Sequence, residues 1–181
     1  MNTELLIKVF EKANIKFLNK DINLIELNVS ERSGYSRFSL YLEETIKENN
    51  ITGYFVDTEY NRNGNKLKTI FDDNNLEIIN VTCDIIVHSR GKNLRQDNLI
   101  CIEMKKSTAL EHEKENDKKR LKILTKSSYD SIWSADGKCL PEHVCNYLLG
   151  IYYEVDRRNN KIKIEYYKDG KVFKNKIFNF W

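Results

Sequence analysis

The sequence predicts an α/β (α+β) chain in which a central mixed β-sheet is flanked by helices. Three observations carry that expectation. Two short β-branched apolar runs, Cys83–His88 and Leu99–Lys106, stand close together in mid-chain, and such runs suit strands buried on both faces. The segments before and after them repeat apolar residues at helical spacing. From Tyr147 onward, β-prone stretches alternate with turn signals at Arg157–Asn160 and Asp169–Gly170.

Taken in order, residues 3 to about 18 read as an amphipathic helix that covers the sheet, with Leu5, Leu6, Val9, Phe10, Ala13 and Phe17 on one stripe. Asp21–Val29 is a short, partly apolar connection. A second helix is expected from Ser30, a good N-cap residue, to about Glu48, with Tyr35, Phe38, Leu42 and Ile46 facing the core. Stepping back four residues from Tyr35 reaches Glu31, which extends that stripe into the first turn. There it either complements the helix dipole or reaches toward the sheet.

Residues 53–62 read as a strand with Asp57, Glu59 and Asn61 on one face, forming a solvated edge or a groove lining. Asn63-Gly64 starts a turn, and the Asn-rich stretch from Asn65 to Asn80 reads as irregular. After the two central strands, Glu111–Lys126 is a charged helix with a seam at Leu121 and Leu124. Its Lys118, Lys119, Arg120, Lys122 and Lys126 are expected to face water, as a solvated surface or a phosphate-contacting one. Ser127–Glu142 reads as a loop holding Trp133. Three strands follow, at Tyr147–Val155, Lys161–Tyr167 and Lys171–Phe180.

The chemistry concentrates in the central pair. Asp84 opens the first run, while Glu103 and Lys105 close the second. Period-2 alternation puts Glu103 and Lys105 on one face and Met104 on the other. If the strands are neighbours, two carboxylates and an ammonium converge at the end of a rigid sheet. A lone carboxylate there costs several kcal/mol unless it is paired or metal-bound. Hard oxygens plus a cation suit Mg²⁺-assisted phosphodiester hydrolysis. The competing reading is a structural ion pair of Lys105 with Glu103 or Asp84, in a chain that is 31% charged.

Composition sets the outer limits. At 181 residues with 40% hydrophobic content, the chain fits one globular domain, and a single Pro with seven Gly argues against long linkers. A net charge of +3 permits nucleic-acid binding without demanding it. No apolar run reaches the roughly 20 residues that span a bilayer, and no secretory signal is visible, so the expectation is a cytoplasmic protein without a membrane partner. Four cysteines do not make a disulfide framework. Cys139, His143 and Cys145 raise the question of zinc, but they lack a fourth ligand and a familiar spacing.

The order helix, strand, strand, strand, helix, strand, with Asp84 and then Glu103-Met104-Lys105, resembles the PD-(D/E)XK, or restriction-endonuclease-like, nuclease superfamily. The resemblance spans about Ser30 to Val155. The expected division is a helical extension over 1–29, a core over 30–155 and C-terminal strands over 156–181. Val56–Arg62 and Ile86–Gly91 also look like segments of a bacterial subgroup within it, whereas Cys83 stands where the motif has proline.

The resemblance implies that Asp84, Glu103 and the Met104 carbonyl hold Mg²⁺ or Mn²⁺, and that Lys105 positions the attacking water. Glu31 matches a helix glutamate found in some branches, where it binds the metal through water or helps hold a second one. The implied function is a metal-dependent nuclease acting on DNA, in defence, repair or mobile-element biology. Lys118, Lys119 and Lys122 are its candidate phosphate contacts, and a homodimer is open to it because cutting two strands often takes two sites. The alternatives are a non-catalytic nucleic-acid- or protein-binding module on the same fold, and an unrelated α+β domain.

Overall fold

The periodic apolar residues at the N-terminus form α1 (Thr3–Glu26), capped by Asn2, whose side chain accepts from the Glu4 amide. The helix runs beyond the expected end. Asp21 leaves helical geometry at φ −132°, but its carboxylate is held by Arg37 and Tyr41, and Ile25 returns to the core. Those tertiary contacts carry the chain through what the sequence presents as a connection. Helix α2 (Glu31–Glu48) starts as expected, with Ser30 Oγ accepting from the Ser33 amide at 3.1 Å.

The computed structural model describes residues 1–63, 66–67, 69–72, 77–93, 95–128 and 143–180, with the backbone alone over 62–80. Strand β1 (Phe55–Thr58) is shorter than expected because Glu59 takes a φ of +50° and leaves the strand. The stretch expected to be irregular holds two small hairpins. One pairs β2 (Arg62–Asn63) with β3 (Lys66–Leu67); the other pairs β4 (Thr69–Asp72) with β5 (Glu77–Asn80). In the second, Ile70 pairs with Ile79 and Phe71 with Ile78, a β-prone match that the surrounding asparagines mask in the sequence. Then come β6 (Ile85–His88), β7 (Asn98–Lys106), α3 (Glu111–Leu124), β8 (Leu149–Asp156), β9 (Lys161–Lys168) and β10 (Lys171–Asn179). Trp133 and Cys139 lie outside the described residues.

The fold is α+β: an open six-stranded mixed sheet in the order β1-β6-β7-β8-β9-β10 and, among the described residues, three α-helices. Among the described strands only β7 and β8 pair in parallel, and α3 supplies the crossover that such a pair requires. One face packs Ile85, Val87, Ile100, Ile102, Met104 and Tyr153 against Phe10, Phe17 and Phe38 of α1 and α2. The other packs Ile86, Cys101, Tyr152 and Tyr167 against Leu121 and Leu124 of α3.

This two-sided burial fixes the register of β7. A one-residue slip would drive Glu103 into the aromatic core in exchange for Ile102, whose burial alone contributes about 1.5–3 kcal/mol. None of the described helices is long and apolar enough to cross a membrane.

Candidate functional site

Because Ile100, Ile102 and Met104 face α1 and α2, Glu103 and Lys105 face α3, as the alternation predicts. Antiparallel pairing of Ile85 with Ile102 draws Asp84, the residue just ahead of β6, to the same end of β7. Its Oδ2 accepts from the Met104 amide at 2.7 Å. Glu31 arrives from the first turn of α2. Its Oε1 accepts from the Lys106 amide at 2.9 Å, and its Oε2 lies 3.5 Å from Lys105 Nζ. The glutamate therefore ties the helix start to the sheet end.

Helix α3 contributes two further side chains that the sequence reading left facing water or unremarked. Asp117 Oδ2 lies 3.4 Å from Lys105 Nζ, and Arg120 Nε donates to Glu103 Oε1 at 3.1 Å. Arg120 also bonds to Asp117 Oδ1 through Nη2. Four carboxylates (Glu31, Asp84, Glu103 and Asp117) are thus interleaved with two cations, Lys105 and Arg120.

Burial dominates the electrostatics. The Glu103 side chain is 2% exposed, and desolvation pushes its carboxyl well above the usual range, outweighing the Arg120 guanidinium beside it. Burial lifts Asp84 to about 6, although the Met104 amide and Lys105 pull the other way. It also raises Asp117 against Arg120 and Lys105. For Lys105, burial disfavours the charge, but Asp117, Glu31 and Asp84 together outweigh it and raise the pKa, so the group is an ammonium at neutral pH.

The donor set fits a divalent cation. It is hard and oxygen-rich, sets four carboxylates against two cations, and includes one buried carboxylate oxygen, Asp117 Oδ2, whose neighbour among the described residues is the Lys105 ammonium at 3.4 Å. Among the described residues, no three His, Cys, Asp or Glu side chains are drawn together so as to hold a metal ion by themselves. A cation could rest on Asp84 and Glu103 with a backbone carbonyl, water and substrate oxygens. That is the sparse protein coordination usual for Mg²⁺.

The lysine-rich face of α3 differs from expectation. Arg120 turns inward, Lys118 Nζ lies 2.9 Å from Glu165 and over the Tyr152 ring, and Lys119 and Lys126 are half-buried. Of the five, Lys122 alone is exposed. The helix lies flat enough on β7, β8 and β9 that its flanking cations pair with strand carboxylates.

The acidic residues of β1 and of the turn after it are likewise committed internally. Asp57 accepts from His88 Nε2 at 2.8 Å and from Arg90 Nε and Nη2 at 2.8 and 2.5 Å. Glu59 accepts from the Tyr35 hydroxyl and from Arg32 at 2.5 and 2.6 Å. These contacts bind the segments Val56–Arg62 and Ile86–Gly91 to each other and to α2, and the Glu59 amide donates to the Asp84 carbonyl at 3.2 Å. Cys83, Cys101 and Cys145 are buried and in no disulfide among the described residues.

No family model matches the chain, and neither a curated protein nor a solved structure is significantly similar to it.

Proposed function

We propose that the chain is a Mg²⁺- or Mn²⁺-dependent nuclease of PD-(D/E)XK type with a restriction-endonuclease-like core, hydrolysing phosphodiester bonds of DNA. One observation carries the reading: half-buried Asp84, held by the Met104 amide, and buried Glu103 share the end of one strand pair with Lys105, whose ammonium is held by Glu31 from α2 and Asp117 from α3. Burial raises both carboxyls despite their partners, and such perturbed groups cluster at functional sites.

Asp84, Glu103 and the Met104 carbonyl would hold the metal, which polarises the phosphate and acidifies a bound water. Lys105 acts as a donor. Kept charged by three carboxylates, it orients the attacking water and steadies charge on the phosphate, and it cannot serve as the proton acceptor. Glu31 fixes the Lys105–Lys106 backbone relative to α2, and Arg120 holds the Glu103 carboxylate in place. Two copies acting together would cut both strands of a duplex.

The second reading, a non-catalytic nucleic-acid- or protein-binding module, draws on the same Arg120–Glu103 contact, since the guanidinium already occupies one oxygen of a required ligand.

Nicking of supercoiled plasmid separates the two. With Mg²⁺ the native chain should nick, EDTA should stop it, and Glu103→Ala and Lys105→Ala should be inactive. Glu31→Gln should fall by about 10²–10³-fold, or about 2.7–4 kcal/mol of transition-state stabilisation. Nicking that survives Glu103→Ala, or is absent from the native chain, removes the enzyme reading.

A further inference from the structure

Between the C-terminal end of α1, the start of α2 and the ends of β7 and β8 lies a cleft of about 240 Å³. Glu31 and Lys105 line it, so whatever enters sits beside the carboxylate group. Its apolar surface comes from Phe17, Ile25, Val29, Met104 and Val155. Lys106, Arg157 and Arg158 bring positive charge to the same lining, the arginines from the short 3₁₀ turn that follows β8. Both arginines are exposed, and neither guanidinium makes an ion pair or side-chain hydrogen bond with the described residues. Arg32, Arg37, Arg90 and Arg120, by contrast, each hold a carboxylate.

An apolar cleft carrying unpaired cations suits a flat apolar group flanked by phosphate. At about 240 Å³ it falls below the roughly 300–1,000 Å³ of sites for drug-sized ligands, which leaves room for one base rather than two. We propose that this cleft receives a single unpaired base of the nucleic-acid substrate. The chain would then select single-stranded or splayed nucleotides beside the scissile phosphate over base-paired ones. The inference rests on nucleic acid being the substrate. A paired base must first leave its stack to enter, a step that an unpaired strand has already taken. Inside, the base meets apolar walls while Arg157 and Arg158 neutralise the adjoining phosphates, as basic side chains do along a bound single strand.

Gly34 makes the idea testable. It lines the cleft, and a Cβ built there meets nothing within 4 Å. Gly34→Met therefore fills the space from a helix position at which methionine is the better helix former. The probe is a single-stranded oligodeoxynucleotide carrying one 2-aminopurine, compared with a fully paired duplex of the same sequence, both with Ca²⁺ in place of Mg²⁺. Native protein should bind the single strand more tightly than the duplex and change the 2-aminopurine fluorescence as that base leaves its neighbours. Gly34→Met should lose about tenfold in single-strand affinity, or about 1.4 kcal/mol, with duplex binding unchanged. The double variant Arg157→Gln/Arg158→Gln should flatten the log–log salt slope by about 1.4, or about 0.7 per phosphate contact.

Equal single-strand affinity for native protein and Gly34→Met, or no fluorescence change, overturns the inference. Saturation by a free nucleoside monophosphate with no binding of the strand also overturns it, in favour of a small-molecule pocket. Failure of the nuclease reading registers elsewhere: plasmid nicking absent with the fluorescence change intact strikes catalysis and leaves the base in the cleft.

Discussion

Replacing Asp84 by asparagine should make the protein more stable at neutral pH while abolishing cleavage. Burial raises the Asp84 carboxyl from 3.8 to about 6 in the folded chain. A carboxyl raised on folding binds more protons folded than unfolded between those values, so stability falls as pH rises through that window and levels off above it. The full difference corresponds to about 3 kcal/mol lost above pH 6, at about 1.36 kcal/mol per pKa unit. Asparagine removes that cost, and its amide oxygen can still accept from Met104, as Oδ2 does at 2.7 Å. The raised value already includes the charged carboxylate's stronger bond to the Met104 amide, so the net gain is about 3 kcal/mol. For a chain of this length that is a rise in melting temperature of roughly 6–12 °C. Thermal melts of both proteins at pH 7.5 and at about pH 4 test it. The gain should be present at the higher pH and gone at the lower, where the native carboxyl is already protonated when folded. An Asp84→Asn protein less stable than the native one at pH 7.5 would show that the carboxylate is satisfied by its neighbours and stores no unfavourable energy.

Two further outcomes follow from contacts around the same group. Arg120→Met retains the apolar stem but strips Glu103 and Asp117 of their guanidinium. The loss should be about 3 kcal/mol at pH 7, the low end for breaking a buried pair because Arg120 is partly exposed. It should shrink as the pH falls and Glu103, whose carboxyl is raised by burial, takes up a proton; equal denaturant midpoints for the two proteins at pH 7 would contradict it. Gly150→Ala, in β8, places a Cβ 2.9 Å from Thr125 Cγ2 and 3.0 Å from Tyr167 Cβ. Such overpacking should cost about 1–3 kcal/mol in a denaturant melt while leaving cation binding unchanged.

Much of the site was legible because strand geometry is strict. Once β-branched runs place Glu103 and Lys105 two residues apart, they must share a face, and the hairpin carries Asp84 to them. Glu31 was reachable by stepping back four residues from Tyr35. The same step back from Leu121 gives Asp117, and three more give Lys114; all three of these α3 residues are buried. That stripe was hidden because charged residues filled it, and hydropathy periodicity cannot separate a buried ionic residue from a solvated one. Arg120 lay beyond such logic, since its inward turn depends on carboxylates supplied by β7. The continuation of α1 past Asp21 was equally illegible, being held by Arg37 and Tyr41 from the next helix. Between Arg62 and Asn80 the asparagines gave a loop signal that paired β-prone residues override.

Calorimetric titration with Mn²⁺ at about pH 6, where the Asp84 carboxyl is partly protonated, bears most directly on whether these carboxylates form a cation site. Native protein should bind Mn²⁺ with release of protons, because burial lifts the Asp84 carboxyl to about 6 and it must ionise to act as a ligand. The released protons should make the measured heat vary with the ionisation enthalpy of the buffer. Asp84→Ala and Glu103→Ala should give no binding heat. Equal heats for the native protein and Asp84→Ala, or binding with no buffer dependence, would contradict the assignment of Asp84 and Glu103 as the metal ligands.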